Sequence, residues 1–272
     1  MLSFPNCKIN LGLHIVKKRE DGYHDLETVF LPIPFTDVLE IIESTKTELT
    51  VSGLPIETEN NLCLKAYQIL KNDFPQLPAV KIHLYKEIPM GAGLGGGSSD
   101  AAFTLQLINK KFQLNLKTEQ LLDYALRLGS DCPFFIINKP CFATSTGEIL
   151  QPINIDLKNY KILIVNLGIH IETKWAFSKI KPAQPTASIQ QIVSQPVKTW
   201  KDELINDFEI PVFNEYPQIK KLKTQLYNAG ALYASLTGTG STVYGIFNNN
   251  ADPDVSPFNN YFLKVIGLNI ID

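Results

Sequence analysis

PMGAGLGGGSSDAA, residues Pro89–Ala102, places Gly91, Gly93, Gly95, Gly96 and Gly97 in one short loop that runs directly into Ser98, Ser99, Asp100 and Ala101. The segment before it, AVKIHLYKEIP, alternates as a strand with Val80, Ile82 and Leu84 inward, and Ile88 is placed with them. The segment after it, SSDAAFTLQLINKKF, reads as a helix. A glycine-rich loop feeding a helix N-terminus exposes unpaired backbone N–H groups and the positive end of the helix dipole, which suits phosphate. A tight strand-to-helix turn needs only one or two glycines, so the surplus favours phosphate over a bare turn. Gly91, Gly93 and Gly96 satisfy G-x-G-x-x-G, yet the surrounding pattern is not a β-α-β unit. The form G-x-x-x-x-G-K-[ST] is absent, since no lysine precedes Ser98. Pro89, Met90, Gly91, Ala92, Gly93, Leu94, Gly95, Gly96, Gly97, Ser98 and Ser99 are therefore expected to cradle phosphate mainly through main-chain N–H groups, with the two serine hydroxyls left for phosphate or metal.

On the N-terminal side, CKINLGLHIV alternates, with Ile9, Leu11, Leu13 and Ile15 on one face and Lys8, Asn10, Gly12 and His14 on the other. This predicts a half-buried strand. NNLCLKAYQILKNDF predicts a helix capped by Asn60 or Asn61, with Leu62, Ala66, Ile69 and Leu70 as its apolar stripe. KTEQLLDYALRLGSD predicts another, capped by Thr118 and stopped at Gly129. Beyond residue 150, YKILIVNLGI is an apolar strand, KPAQPTASIQQIVSQP an exposed connection, and FNEYPQIKKLKTQLYNAGA one helix ending at Gly230. LYASLTGTGSTVYGIF gives two strands about a second glycine turn. Strands and helices interleave without a regular β-α-β beat, which favours an α+β fold in two lobes, residues 1–152 and 153–272.

The chain has 272 residues, 44% of them hydrophobic, and a formal net charge of -2. That allows a substantial core and offers no basic field for nucleic acid or membrane. Cys7, Cys63, Cys132 and Cys141 lie scattered, which argues against a zinc site or a disulfide framework and for buried reduced thiols. The N-terminus has no charged segment followed by an apolar stretch, and no apolar run reaches membrane-spanning length, so a cytoplasmic protein is expected.

P-M-G-A-G-L-G-G-G-S-S resembles the phosphate loop of the GHMP kinases, the family of galactokinase, homoserine kinase and mevalonate kinase. P-N-C-K-I-N-L-G-L is similar to that family's first motif and S-L-T-G-T-G-S to its third, and the three occur in the family's order. R-E-D-G-Y-H-D-L-E-T and L-G-S-D-C-P-F-F narrow the resemblance to a member whose acceptor carries a cytidine diphosphate. The resemblance implies a two-lobed fold, with an N-terminal ATP-binding lobe and a ferredoxin-like C-terminal lobe. It implies ATP and Mg²⁺, a small-molecule acceptor, and a monomer or weak homodimer. It further implies that Lys8 serves beside Asp131, the general base.

Each candidate residue also has a plainer reading. Lys8 and Asn10 could be a solvated strand face, and Asp131 a turn or capping carboxylate. Tyr23 and His24, after the Asp21-Gly22 turn, could be a surface turn. Functionally, Tyr23 would stack on cytosine and His24 would bond its edge, with Phe177 as an opposite wall and Trp175 as its competitor. Thr237, Gly238, Thr239 and Gly240 could be a hairpin turn, although such a turn needs only one glycine. His83 and His170 fit strands or strand ends and carry no catalytic expectation. The rival readings are another small-molecule kinase of the family and a non-catalytic nucleotide-binding module.

Overall fold

The computed structural model describes residues 1–268. Strands β1 (Leu2–Ser3), β2 (Asn6–Lys18), β3 (His24–Thr36), β4 (Val38–Glu43) and β5 (Glu48–Gly53) open the chain. Helix α1 (Leu62–Asp73), strand β6 (Val80–Lys86) and helices α2 (Gly96–Lys111), α3 (Thr118–Leu126) and α4 (Cys132–Ile137) follow. Strands β7 (Cys141–Thr144), β8 (Ile149–Pro152) and β9 (Tyr160–Asn166) come next, then helices α5 (Thr173–Ser178), α6 (Ile189–Val193), α7 (Trp200–Glu203), α8 (Glu209–Glu215) and α9 (Pro217–Asn228). Strands β10 (Tyr233–Leu236), β11 (Val243–Asn248) and β12 (Phe262–Gly267) complete the order.

The chain divides into two compact units, neither continuous in sequence. One holds Met1–Cys7, Phe35–Met90 and Gly95–Asn138; the other holds Lys8–Pro34, Gly91–Leu94 and the described residues from Lys139 onward. A linear division at 152/153 is thus a different partition from the compact one, because most of β2, most of β3 and the middle of the glycine loop lie in the second unit.

In the first unit, four strands pair in the order β1-β4-β6-β5, with β5 parallel to β6 and the other pairs antiparallel. Leu39, Ile41, Val80, Ile82 and Leu84 point to its buried face by simple alternation. Helix α2 packs against α1, α3, α4, β1 and β4. Small residues (Gly96, Ser99, Ala101, Ala102) make its first turns narrow enough to be buried on several sides. Asn61 caps α1 by accepting from the Cys63 N–H at 2.8 Å, one of the two predicted caps. The buried stripe of α1 is Cys63, Ala66, Tyr67 and Leu70, so it is rotated from the predicted one, and Leu62 and Ile69 are only partly covered. Thr118 is the first helical residue of α3; the cap is Lys117.

The second unit has two four-stranded sheets, β2-β3-β7-β8 and β10-β11-β9-β12. The latter is antiparallel throughout. Numbered within this lobe from β9 to β12, its spatial order is 4-1-3-2, that of a ferredoxin-like split β-α-β sheet. Helices α8 and α9 lie on the crossover before β10, and the later crossover carries a single 3-10 turn at Ser256–Phe258. Leu163, Val165, Phe208, Val212, Leu222, Leu226, Leu236 and Phe247 belong to one buried cluster.

Two expectations are corrected here. Strand β2 is not half-buried: Lys8 and Asn10 are 3% and 2% exposed, so its polar face is covered too as far as Gly12, and His14 is partly covered. The single helix expected before Gly230 is two, α8 and α9, separated at Tyr216. Pro217 lacks an N–H and disfavours helical geometry in the residue before it, so one helix ends and the next begins with proline in its first turn.

Candidate functional site

Within the second unit, residues from the three glycine-bearing motifs meet. Lys8 Nζ donates to Asn10 Oδ1 at 2.7 Å and lies 5.0 Å from the centroid of the Phe30 ring. Asn10 Nδ2 donates to Thr28 Oγ1 at 3.0 Å, and the Asn10 N–H donates to Thr237 Oγ1 at 3.1 Å. The Thr237 hydroxyl in turn donates to the Gly93 carbonyl at 3.1 Å, with Asn10 Oδ1 3.3 Å away as a second acceptor. Main-chain bonds close the same junction: Lys8 N–H to Leu94 O at 2.9 Å and Thr242 N–H to Ala92 O at 3.3 Å. Burial makes this ring of bonds obligatory, since each polar group would otherwise be lost to water without replacement.

The junction explains Gly93. Its φ is +78°, and a Cβ there would stand 2.1 Å from the Thr237 carbonyl oxygen. Only glycine allows the two loops to touch. Gly91 also has a left-handed φ, +63°, and a Cβ on it would lie 3.1 Å from His170 Nδ1. Gly238 and Gly240 have φ of +56° and +96°, so the third motif needs both glycines for backbone conformation alone.

Three residues missed in the sequence hold that third motif. Asn206, fully buried, donates from Nδ2 to the Leu236 and Gly238 carbonyls, both at 2.9 Å. Asn166 Nδ2 donates to Ser241 Oγ at 3.1 Å and Thr242 Oγ1 at 2.9 Å. The Glu209 carboxylate accepts from the Leu236 N–H at 3.0 Å and pairs with Lys223 at 2.6 Å. The available signal was a polar residue ending an apolar run, as Asn166 ends YKILIVN; for Asn206 and Glu209 there was none.

The turn carrying Tyr23 and His24 is also in the second unit. Arg19 Nε donates to Asp21 Oδ2 at 3.0 Å and its Nη1 to Ser145 Oγ at 3.1 Å, while Asp21 Oδ1 accepts from the Tyr23 N–H at 3.0 Å. Tyr23 is left 65% exposed. The His24 and Phe177 rings lie against each other, centroids 5.1 Å apart and tilted by 32°. Phe177 thus packs directly against the His24 ring and, on its other side, against Phe208. Trp175 makes an edge contact with Tyr216 at 5.8 Å. Burial, then Lys18, lowers the His24 pKa below its ordinary value.

In the first unit, Gly95 (φ 71°, ψ 15°) is the N-cap of α2 and supplies no capping side chain. The first intrahelical bond there is Ser99 N–H to Gly95 O at 2.9 Å, so Gly96, Gly97 and Ser98 begin the helix with the N–H groups that a helix cannot satisfy internally. Gly96 and Gly97 have protein reasons too: a Cβ would stand 2.8 Å from Ile88 Cγ2 in the first case and 3.1 Å from Met90 Cε in the second. Ser99 Oγ and Asp100 Oδ1 are buried without a hydrogen-bond partner. Asp131 is the N-cap residue of α4, partly buried, and its side chain makes no capping bond. The neighbouring Cys132 thiol is pushed up to about 12 by burial, which leaves it protonated and unreactive.

Beneath the start of α2, Lys86 is fully buried between two carboxylates. Its Nζ bonds Asp37 Oδ2 and, at 2.8 Å, Asp100 Oδ2. Asp37 Oδ1 accepts from the Glu87 and Ile88 N–H groups at 2.6 and 2.9 Å. Burial, opposed by Lys86, raises the Asp100 carboxyl to about 7, while the two carboxylates outweigh burial at Lys86 and raise its pKa. Nothing in the sequence flagged Asp37 or Lys86. No group of three or more His, Cys, Asp or Glu side chains suited to a metal occurs among the described residues.

Comparison with known proteins places this geometry. The family model described as GHMP kinases N terminal domain matches residues 61–139, and GHMP kinases C terminal matches residues 197–256. The chain is 50% identical over 262 residues, 95% of its own length and 97% of the other's, to a 4-diphosphocytidyl-2-C-methyl-D-erythritol kinase of Azobacteroides pseudotrichonymphae. It is 52% identical over 254 residues, 91% and 92% of the two lengths, to the protein of that name from Bacteroides fragilis. A crystal structure of 4-(cytidine 5'-diphospho)-2C-methyl-D-erythritol kinase superposes with a TM-score of 0.84 at 26% identity, covering 98% of this chain and 99% of that one. The mevalonate kinase of Methanococcus jannaschii shares the fold, with a TM-score of 0.72 at 15% identity over 98% and 96% of the two chains.

Proposed function

The chain belongs to the GHMP kinase family, and from that premise we infer the reaction its residues carry out. It phosphorylates 4-diphosphocytidyl-2-C-methyl-D-erythritol with ATP. We assign the transfer to the 2-hydroxyl and the step to the non-mevalonate route to isoprenoid precursors. The observation that carries the residue-level reading is the junction of Lys8, Asn10, Gly93 and Thr237, where the family's three motifs are tied by buried hydrogen bonds.

In this reading the loop from Pro89 to Ser99 receives the ATP phosphates on its main-chain N–H groups, led by Gly96, Gly97 and Ser98 at the uncapped start of α2. The acceptor oxygen attacks the γ-phosphorus, the bond to the β,γ-bridging oxygen breaks, and ADP leaves. Asp131 takes the hydroxyl proton, a role worth about 10²–10⁴ in rate. Lys8, held by Asn10, supplies fixed positive charge to the reacting oxygens. Asn10 holds Lys8 through Oδ1 and Thr28 through one N–H of Nδ2, and its second N–H is directed to the acceptor in this reading. Tyr23 offers a ring face to the cytosine, and His24, backed by Phe177, offers its ring nitrogens to the base edge. Thr239, with Gly238 and Gly240, borders the acceptor.

Mg²⁺, when bound, would offset charge on the transferring phosphates. The Ser99 hydroxyl, buried without a hydrogen-bond partner at the start of α2, is the protein group that would hold the ion. The two family-model segments fall on either side of residue 152, in keeping with an ATP-binding portion, 1–152, and a substrate-side portion, 153–272. No helix among the described residues is long and apolar enough to cross a membrane. We read the protein as a cytoplasmic monomer or weak homodimer that binds no nucleic acid.

An ADP-release assay with ATP and Mg²⁺ tests the assignment. 4-Diphosphocytidyl-2-C-methyl-D-erythritol should turn over, while mevalonate and homoserine should not. Turnover of either small acceptor at a comparable rate would reassign the chain within its family, and no turnover of any would leave a nucleotide-binding module.

A further inference from the structure

The glycine loop carries little stiffness of its own. Its residues have the widest conformational freedom of any in the chain, yet phosphate recognition by N–H groups requires fixed geometry before the nucleotide arrives. Its middle, Ala92 to Leu94, is held by Lys8, Thr237 and Thr242; the two ends, one of which carries the helix N–H groups, need grips of their own. At the strand end, Asp37 Oδ1 accepts from the Glu87 and Ile88 N–H groups, the last residues before Pro89. Asp37 is itself fixed by its own N–H, which donates to Pro5 O at 2.8 Å. At the helix end, Asp100 Oδ2 accepts from Lys86 Nζ at 2.8 Å. Lys86 joins the two because the same ammonium bonds Asp37 Oδ2.

The cluster also lies immediately under the first residue of α2. A Cβ on Gly96 would stand 3.0 Å from Lys86 Nζ. All three side chains are almost completely withdrawn from water, with side-chain exposures of 0%, 0% and 4% for Lys86, Asp37 and Asp100. Buried charges of this kind are a poor source of stability, since apolar side chains of similar volume often serve as well. What three bonded groups provide and an apolar plug does not is a directional tether.

We propose that Asp37, Lys86 and Asp100 form the positioning group of the nucleotide phosphate site, clamping the strand that enters the glycine loop to the helix that leaves it. None of the three touches the nucleotide in this reading, which rests on the loop being the phosphate site. Loss of the clamp lets α2 and the end of β6 shift against each other, so the N–H groups of Gly96, Gly97 and Ser98 no longer converge on one phosphate.

The test compares Asp100→Leu, Asp100→Ser and Lys86→Met with Asp100→Asn, each checked for folding by circular dichroism and thermal melting. Calorimetry with ATP gives Kd, and steady-state kinetics give KM for both substrates. Leucine cannot accept the Lys86 bond, and serine is too short to reach it yet small enough to be housed if leucine is not. Each disrupting variant should raise the ATP Kd and KM by about tenfold or more, in line with the sensitivity of catalysis to small misplacements. The acceptor KM at saturating ATP should stay within about twofold, because a local shift of the loop leaves the base-binding turn alone. Asp100→Asn keeps the oxygen and the shape, and should stay within about threefold of wild type, as a preserved hydrogen bond requires. A folded disrupting variant that binds ATP with the wild-type Kd overturns the proposal, as does an equal rise in both KM values. Wild-type protein that binds no ATP would overturn the kinase reading and this one together, whereas equal binding by wild type and variants removes the clamp alone.

Discussion

Asp131 separates two readings at the scale of one residue. It holds the N-cap position of α4, where a capping carboxylate contributes about 0.5–2 kcal/mol, but its side chain makes no capping bond. Asp131→Asn should therefore leave the thermal midpoint near wild type while kcat falls by about 10²–10⁴. An enzyme that melts early and keeps its kcat would return Asp131 to a structural role. Gly93 behaves in the opposite way. A left-handed conformation costs a non-glycine residue about 1–2 kcal/mol, and here the new Cβ also meets the Thr237 carbonyl. Gly93→Ala should lower stability in urea by more than that figure before any effect on ATP is considered. Gly96→Val would strike Ile88 before any phosphate, so loss of ATP binding by that variant is informative only alongside a melting curve. His24 gives a pH prediction. Its pKa lies below the ordinary 6.5, so the neutral ring persists through neutrality and charges only below that value. The acceptor KM should be flat from pH 8 to about 6.5 and rise on further acidification; His24→Gln should abolish the rise, and a rise beginning above 6.5 would contradict the assignment.

At the scale of elements, the turn between β10 and β11 depends on residues outside it. Asn206 satisfies the Leu236 and Gly238 carbonyls from a position some thirty residues earlier. Asn206→Ala would remove a donor from both, leaving the Leu236 carbonyl the longer bond from the Ser235 hydroxyl at 3.3 Å, at about 1–3 kcal/mol for a buried group that loses its partner. Urea unfolding should show that loss, and kcat should fall with it, because Thr237 anchors the same turn to Asn10 and Gly93. Unchanged stability would mean that water replaces the asparagine and that the turn stands unaided. The same element shows how far local pattern reaches. The positive φ of Gly238 and Gly240 was implicit in T-G-T-G-S, since glycine at both positions answers a backbone need. The supports from Asn206, Asn166 and Glu209 were not, because a buried amide on another segment has no periodic signature.

For the whole molecule, the substrate assignment makes the sharpest demand. The acceptor should lose nearly all turnover when its cytidine is removed, and Tyr23→Ala should raise the acceptor KM far more than the ATP KM. Stacking on one base is worth about 1–3 kcal/mol, and Tyr23 is exposed enough to meet a ligand face. Brisk phosphorylation of methylerythritol phosphate, or equal KM increases for both substrates, would argue that the Tyr23 turn is only a turn.

By itself the sequence determined those features that a local rule dictates. Alternation in β6, a cap at Asn60 or Asn61 and the α+β class all follow from backbone sterics and from the burial of apolar side chains at fixed period, and the structure picks Asn61. Tertiary structure alone decided that the polar face of β2 is sealed, that Phe177 backs His24 and that Gly93 is glycine for the sake of Thr237. It also decided the pairing of Lys86 with Asp37 and Asp100, and the division into two discontinuous units. Asn10 and Thr237 stand 227 residues apart and still share a hydrogen bond. A buried donor must find its acceptor wherever the fold brings one, and that obligation leaves no trace in the spacing of residues along the chain.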